Sequence, residues 1–250
     1  MGRTSARSAA ARARALSGRR AATLLVELGC GIGTVATYLN RHGFSVDYSE
    51  AFEQGLRLAE ARAHRALGDR AKERRFFQAD LTRPLAPLGQ TGALLLDVIE
   101  HLPDDLSALC HVHDALPEGP RSFVVVAVPA FQFLWSPWDD LEKHKRRYTP
   151  RSLQTLLERA GFRVERQTFF FFPLFFAALG VKGLRFAQSR IRRKNEAENI
   201  TDMIEVQSGT TPLVNRVLST VLSAERPLLD RGSIPLGTSL LAIARKSGAR

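Results

Sequence analysis

Cysteine and long apolar runs are both scarce in this sequence. Cys30 and Cys110 are too few for a disulfide framework and too far apart for a paired metal motif, which favours a reducing, cytoplasmic setting. No segment resembles a secretion signal. The longest apolar run, residues 169–181, contains Pro173 and is shorter than the roughly 20 residues of a spanning helix. We therefore expect no transmembrane anchor.

Lysine is scarce as well, so arginine supplies most of the 36 basic residues behind the net charge of +11. An arginine- and alanine-rich composition can reflect a G+C-rich genome, and the charge alone does not indicate nucleic acid as a partner. Residues 1–22 hold six arginines and no acid. They predict a mobile basic arm, with an organellar transit peptide as the alternative.

From residue 24 onward, short apolar runs alternate with helical patterns, which is typical of βα units around a parallel sheet. The segments "TLLVEL", "RRFFQAD", "GALLLDVI" and "RSFVVVAVPA" predict strands. "TVATYLNRHG" predicts a helix ended by Gly43, and "FSVD" a strand ended by Asp47, with Ser49 capping the next helix. Thr149–Pro150 predicts a helix start before the last strands, "FRVERQTFF" and "TSLLAIARKS".

A glycine-rich loop follows the first predicted strand. Gly29, Gly31 and Gly33 alternate with other residues after the acidic Glu27. Glycine lets a chain turn without a Cβ, so the backbone can pack against a ligand. Two cofactor classes fit the loop: a dinucleotide, through a relaxed G-x-G-x-x-A form, or S-adenosylmethionine, through an acid followed by G-x-G-x-G.

Four motifs in order resemble those of the class I S-adenosylmethionine-dependent methyltransferases. They are "VELGCGIGTVATYL", "FSVDYSEAFEQGLRLAEAR", "FFQADL" and "LLLDVIEHLPDD", the last typical of a "DVIEHL" subgroup. "EKHKRRYTPRSLQTLLERAGF" is similar to a segment that follows the family's fifth strand. The resemblance covers Leu24 to Gly161 and the last strand. A dehydrogenase has no use for the later motifs, so the implied ligands are S-adenosylmethionine and its product S-adenosylhomocysteine.

The resemblance also implies which residues hold this cofactor. Asp47 would bind the ribose hydroxyls, Asp80 would accept from the adenine amino group, and Asp97 would lie beneath the cofactor. The full implied set is Glu27, Gly29, Gly31, Gly33, Asp47, Tyr48, Asp80, Leu81 and Asp97.

The implied fold is a Rossmann-like, seven-stranded, mostly parallel sheet with helices on both faces and an antiparallel last strand pair. Residues 23–168 would form the cofactor-binding core and residues 233–250 its final strand. Between them, residues 169–232 would form an insertion that covers the substrate.

Methyl transfer from a sulfonium mainly requires an acceptor held in line with the breaking bond and shielded from water. An oxygen or nitrogen acceptor must also lose a proton, and we predict that His101 and His144 assist. We expect no metal. The alternative, implied by similarity to ubiquinone-pathway O-methyltransferases, is a divalent cation on Asp97, Glu100 and His101.

The acceptor is expected to be a partly apolar small molecule. Trp135, Arg147 and Tyr148 are predicted to line its pocket. Beyond Pro173, a helix carrying Phe175 and Phe176 would form, with residues 213–222, an apolar lid or a shallow peripheral membrane contact.

The sequence therefore predicts a methyltransferase that acts on an oxygen or nitrogen of a small molecule, in specialised or envelope-lipid metabolism. An RNA methyltransferase using the basic arm is one alternative, although no appended RNA module or Asn-Pro-Pro-Tyr-like motif is present. A methyltransferase-like subunit that binds cofactor without catalysis is another. The acceptor, the methylated atom and the oligomeric state do not follow from the sequence.

Overall fold

The computed structural model describes residues 24–189 and 225–248. The predicted arm lies outside the described residues, as do residues 190–224 of the predicted insertion, including the helix expected at 213–222. The described strands are β1 (Leu24–Leu28), β2 (Ser45–Glu50), β3 (Phe76–Gln78), β4 (Gly92–Leu96), β5 (Phe123–Pro129), β6 (Phe162–Phe170) and β7 (Ser239–Lys246). The described helices are α1 (Thr34–Arg41), α2 (Glu53–Leu67), α3 (Asp105–Ala115), α4 (Pro137–Leu141), α5 (Pro150–Arg159), α6 (Phe172–Ser189) and α7 (Arg226–Arg231).

The strands form one seven-stranded sheet in the order β3-β2-β1-β4-β5-β7-β6. Strands β1 to β5 pair in parallel, whereas β7 pairs antiparallel with both β5 and β6. The predicted Rossmann-like fold is confirmed. The strand order reverses direction between β1 and β4, and open α/β sheets bind their ligands at such a switch point.

The central strands bury both of their faces. In β1, β4 and β5, successive residues contribute to two separate apolar clusters, one on each side of the sheet. Leu25 and Val26 in β1, like Leu94 and Leu95 in β4, point to opposite clusters because side chains alternate along a strand. Helices on both faces cover these mainly apolar central strands, as expected for a parallel sheet.

Strand β2 is longer than its sequence indicates. It continues through Asp47 to Glu50, and every residue after Ser45 is buried. Ser49 is therefore a buried strand residue, and the next helix begins at Glu53 with Phe52 as its N-cap. This corrects both the predicted strand end at Asp47 and the predicted cap at Ser49.

The other predicted helix boundaries agree with the structure. Gly43 follows α1 with a φ of 86°, and its N–H donates to the Asn40 carbonyl. Thr149 accepts a hydrogen bond from the Ser152 N–H, and Pro150 is the first residue of α5.

The apolar run after β6 divides between two elements. Phe169 and Phe170 complete β6, and α6 begins at Phe172 after Phe171 takes a left-handed φ of 61°. In residues 24–189 and 225–248, no helix is both long and apolar enough to cross a membrane.

Candidate active site

Loops from four neighbouring strands meet at the carboxyl edge of the sheet. They follow β1, β2, β3 and β4 and enclose a cavity of about 220 Å³ beside the switch point. It is lined by Gly29, Glu50, Ala51, Phe52, Ala79, Asp80, Leu81, Asp97, Val98, His101 and Leu102. The structure therefore brings together residues from all four sequence motifs.

The glycine loop needs its glycines for different reasons. All three have a left-handed φ, between 54° and 74°. A Cβ on Gly29 would lie 2.8 Å from a Val98 methyl, and one on Gly33 would lie 2.8 Å from the Ala59 Cβ. A Cβ on Gly31 would meet nothing within 4 Å. Gly29 and Gly33 are thus required by packing, whereas Gly31 faces open space that a ligand can fill.

Glu27 supports this loop from below. Its carboxylate accepts a hydrogen bond of 2.7 Å from the Ala36 N–H, and its side chain is buried. Burial raises the pKa of Glu27 to about 8, against the lowering effect of the Ala36 bond and with a further rise from Glu50. The residue ties β1 to the first turn of α1.

We expect Glu27→Gln to remove one source of pH dependence from folding stability. Folded Glu27 keeps its proton up to about pH 8, whereas the unfolded group loses it near 4.5. The stabilisation from Glu27 is therefore complete below the unfolded pKa and is lost as pH rises through 8. Between pH 4.5 and about 8, the free energy of unfolding of the wild type, measured in urea, should fall relative to that of Glu27→Gln by at most about 1.4 kcal/mol per pH unit. A wild-type-to-variant difference that does not vary with pH would contradict this assignment, and exposed Glu60→Gln is the control.

The acid that faces the cavity is Glu50, which sequence reasoning missed. It is the last residue of β2, and its carboxylate accepts from the Gly31 N–H at 2.7 Å and from the Ala51 N–H at 2.9 Å. A signal for it was available, because ligands of parallel sheets bind beyond the carboxyl ends of strands. The buried strand runs three residues past Asp47 to reach that edge.

Asp47 lies in the middle of β2 and does not line the cavity. Its carboxylate accepts from the Arg75 N–H at 2.9 Å and from the Gln90 side-chain amide. These donors lie just before β3 and β4, at the amino edge of the sheet. The prediction that Asp47 binds the ribose is therefore corrected: this carboxylate links β2 to the segments that lead into β3 and β4.

Tyr48 is likewise a core residue and not a cofactor ligand. Its side chain is fully buried, its ring stacks on Phe76 with centroids 4.6 Å apart, and its hydroxyl contacts Thr37 at 3.1 Å. It lies beneath Gly33, where a Cβ would be 3.1 Å from the Tyr48 ring. Tyr48 supports the glycine loop through packing alone.

Asp80, Leu81 and Asp97 line the cavity, and their contact with the cofactor stays a prediction. Asp80 follows β3 and accepts from both the N–H and the hydroxyl of Thr82, at 2.9 and 2.7 Å, and these bonds lower its pKa. Asp97 follows β4 and has a φ of 55°, a strained backbone conformation that residues other than glycine rarely adopt. Such strain is common at binding sites.

Two histidines and a glutamate converge beside the cavity. The rings of His101 and His144 meet edge to face with centroids 4.7 Å apart. Burial and the neighbouring His144 charge lower the pKa of His101. Glu100 is completely buried, and burial raises its pKa well above the usual range, with a further rise from Asp97. The structure thus brings together the two predicted catalytic histidines.

The predicted acceptor residues Arg147 and Tyr148 have structural partners instead. Arg147 donates from Nε and Nη2 to the two oxygens of Asp139, at 2.7 and 2.9 Å. Tyr148 is buried in the core, and its hydroxyl donates to Asp105 at 2.7 Å. Trp135 is half-buried and donates from its indole to Asp140 at 3.1 Å. None of the three predicted residues is among those lining the cavity.

Asp139 is a second residue that sequence reasoning missed. It is fully buried and accepts from Ser136, His144 and Arg147. These bonds hold its pKa at about 2 although burial opposes them. It belongs to a capping box with Ser136, and that Ser-x-x-Asp spacing was the available signal.

The predicted lid residues lie in a cluster of phenylalanines. Phe175 is buried and its ring contacts those of Phe131 and Phe133, at 5.9 and 6.3 Å between centroids. Phe176 is 53% exposed and packs against Phe172. Neither Phe175 nor Phe176 is among the residues lining the cavity between the strand loops.

The sheet is doubly wound, with a glycine loop after β1, an acid at the end of β2 and a cavity at the switch point. These features define a nucleotide-cofactor-binding protein of the Rossmann-like class. A family model described as a methyltransferase domain matches residues 3–167, and the chain belongs to this methyltransferase domain family. No curated protein matches the chain significantly.

Solved methyltransferase structures share this fold. A putative sarcosine dimethylglycine methyltransferase from Galdieria sulphuraria has a TM-score of 0.62 at 16% identity, covering 97% of this chain and 85% of that one. Magnesium protoporphyrin IX methyltransferase from Synechocystis PCC 6803, with bound S-adenosylhomocysteine, has a TM-score of 0.53 at 17% identity, covering 65% and 74%. Phosphoethanolamine N-methyltransferase 2 from Haemonchus contortus, in complex with S-adenosylmethionine, has a TM-score of 0.56 at 14% identity, covering 95% and 51%.

The predicted methyltransferase class is confirmed by the family match. The predicted cofactor, S-adenosylmethionine, and its product are the ligands with which two of these neighbours were crystallised. The narrower "DVIEHL" subgroup stays a prediction.

Proposed function

We propose that this chain transfers a methyl group from S-adenosylmethionine to an oxygen or nitrogen of a small molecule. The observation that carries the proposal is the carboxylate of Glu50, held beside the Gly31 amide at the edge of the cavity. An acid at the end of the second strand is the acceptor that a ribose diol needs in a doubly wound fold.

The other residues around the cavity fit the same cofactor. The open space beside Gly31 leaves room for a ligand against the backbone. Asp80 offers an acceptor for an amino group, and the buried side chain of Leu81 offers an apolar surface for a base. Asp97 adds an acidic group that suits a cationic ligand. When bound, S-adenosylmethionine supplies a methyl group on a good leaving group.

On this proposal the acceptor lies at the wall formed by His101. Val98, Leu102 and the 77% exposed Phe52 give the cavity apolar sides, so a partly apolar acceptor fits best. His101 and His144 are the groups that act on its hydroxyl or amine. Three structural neighbours are named for small-molecule acceptors: magnesium protoporphyrin IX, sarcosine or dimethylglycine (a putative assignment) and phosphoethanolamine. These names support a small-molecule acceptor.

Two further parts of the proposal concern the surroundings of the enzyme. Exposed Phe133, Phe176 and Leu179 form an apolar surface on and near α6, which suits a lid or a shallow contact with a membrane surface. Cys30 is a buried thiol in the glycine loop, which suits the reducing cytoplasm.

The direct test is methyl transfer from isotope-labelled S-adenosylmethionine to pools of small molecules and to RNA. Label in a small-molecule fraction supports the proposal. Label in RNA alone would favour the RNA methyltransferase, and cofactor binding without transfer to either pool would favour a non-catalytic subunit.

We expect His101→Asn to lower turnover by about 10²-fold or more, the usual contribution of a group that moves a proton or activates an acceptor. Cofactor affinity should stay within about twofold, because no predicted cofactor contact is removed. The matched control is His64→Asn, a half-exposed histidine on α2. Equal losses of turnover and cofactor affinity would show that His101 supports the cofactor site instead.

A further inference from the structure

Glu100, His101 and His144 are arranged as a set of metal ligands. One ligand atom from each residue lies within 4.8 Å of the ligand atoms of the other two. Among residues 24–189 and 225–248, this is the cluster of three possible metal ligands. Ligand atoms on one tetrahedral cation lie roughly 3.4 Å apart. Small side-chain rotations therefore suffice for all three groups to reach one ion.

The strongest reason to expect a cation is Glu100. Its side chain is completely buried, and neither carboxylate oxygen accepts a well-formed hydrogen bond, although the nearby backbone N–H groups of Val98 and Glu100 partly lower its pKa. Buried polar groups are almost always partnered, and an isolated buried carboxylate is costly. The groups beside it are the two imidazoles of His101 and His144, which offer lone pairs. A cation held among the three would satisfy all of them.

His144 is prepared for this role by Asp139. The His144 Nδ1 lies 2.9 Å from the Asp139 carboxylate, which is buried, ion-paired with Arg147 and therefore acts only as an acceptor. The proton of a neutral His144 thus lies on Nδ1, which leaves Nε2 with its lone pair. A carboxylate on the far nitrogen is the usual outer-shell partner of a metal-binding histidine.

We propose that Glu100, His101 and His144 bind a divalent transition-metal cation of the Zn²⁺ type. Two imidazoles and one carboxylate suit zinc and its first-row neighbours, whereas Mg²⁺ prefers oxygen ligands and retained water. This inference departs from the expectation of no metal, and its ligand set includes His144 in place of Asp97.

Three protein ligands leave a fourth position open on a tetrahedral ion. His101 also lines the cavity, so that position can be reached by the acceptor. A cation there would act as a Lewis acid on an acceptor oxygen, so that the two histidines would act on the acceptor through the ion and not by taking its proton; this role rests on the proposed function. The binding of the ion itself does not depend on it.

The test is a titration of the chelator-treated full chain with Zn²⁺, followed by calorimetry and by competition with a chromophoric chelator. We expect one ion per chain with micromolar or tighter affinity, and no competition from millimolar Mg²⁺. Glu100→Gln and His144→Asn should each weaken Zn²⁺ at least tenfold. His64→Asn, which removes a surface histidine near Glu60, should leave it unchanged.

Co²⁺ bound to the wild-type chain gives a second readout that needs no variant to fold. Intense visible absorption, typical of tetrahedral Co²⁺, is expected and should be displaced by Zn²⁺. The proposal is overturned if the wild type binds neither ion, or if Glu100→Gln and His144→Asn bind Zn²⁺ as tightly as the wild type does. A proton or a water molecule would then lie between the three side chains. S-adenosylmethionine affinity is measured on the same samples. If the chain binds S-adenosylmethionine but not Zn²⁺, only the metal site is overturned. If it binds Zn²⁺ but not S-adenosylmethionine, only the proposed function is overturned.

Discussion

Replacing Glu50 by alanine should lower the affinity for S-adenosylmethionine by about tenfold to a hundredfold. A hydrogen bond to a charged group contributes roughly 1.5–3 kcal/mol, and 1.4 kcal/mol corresponds to a factor of ten. Glu50 is placed for such bonds because it ends β2 at the cavity edge. Calorimetry with the cofactor and with S-adenosylhomocysteine measures the loss. Glu50→Gln, which keeps the shape but not the charge, should fall between alanine and wild type.

Asp47→Ala is the matched control, since it removes another acid from the same strand. Asp47 bonds to Arg75 and Gln90 at the opposite edge of the sheet. The variant should lose about 1–3 kcal/mol of folding stability and keep its cofactor affinity. If Asp47→Ala loses the cofactor and Glu50→Ala does not, the ribose contact returns to the residue that the sequence motif first indicated.

Gly31→Val should reduce cofactor affinity by about a hundredfold or more, which corresponds to roughly 2.8 kcal/mol. The Cβ would project into the open space beside the backbone, which the proposed ligand occupies. The added Cβ meets no protein atom within 4 Å, so the variant should displace the cofactor with little repacking of the protein. Equilibrium binding of S-adenosylhomocysteine, with unfolding measured in parallel, separates the two effects.

Gly68→Val is the control for backbone strain. Gly68 follows α2 with a φ of 59°, close to the 54° of Gly31, and its Cβ would also meet nothing within 4 Å. Both variants should lose folding stability, because a positive φ is strained for a β-branched residue, and Gly68, whose ψ is −133°, lies in a region that is almost restricted to glycine. Only Gly31→Val should lose the cofactor. Equal affinities in the two variants would mean that Gly31 faces solvent and no ligand.

The sheet and the cofactor loop could be predicted because their signals are local. Apolar strands alternate with amphipathic helices, and Gly29, Gly31 and Gly33 stand together in the chain. The end of β2 was harder to place, because Asp47, Ser49 and Glu50 are polar residues that are common in turns and helix starts, although Tyr48 between them favours a strand. In the structure the Tyr48 hydroxyl is satisfied by Thr37 and Asn40, which come from α1.

The acceptor side was harder to predict because its partners are distant in the chain. A run of charged residues around His144 has the composition of a solvated loop. The structure turns Arg147 inward to the buried Asp139, and Arg146 to Asp105 on another helix. Which charged side chains are buried depends on tertiary packing, so composition and spacing alone did not reveal the protein partners of Arg147 and Tyr148.

The antiparallel placement of β7 has a consequence for how the chain folds. β7 inserts between β5 and β6, and its register joins Pro129 to Ser239. Until the later segment is synthesised and docks, the wholly apolar edge of β5 has no partner on that side. Contacts this distant in sequence form slowly, and an unpaired strand edge invites aggregation. Docking of β7 therefore completes the pairing of β5 and removes this aggregation hazard from the nascent chain.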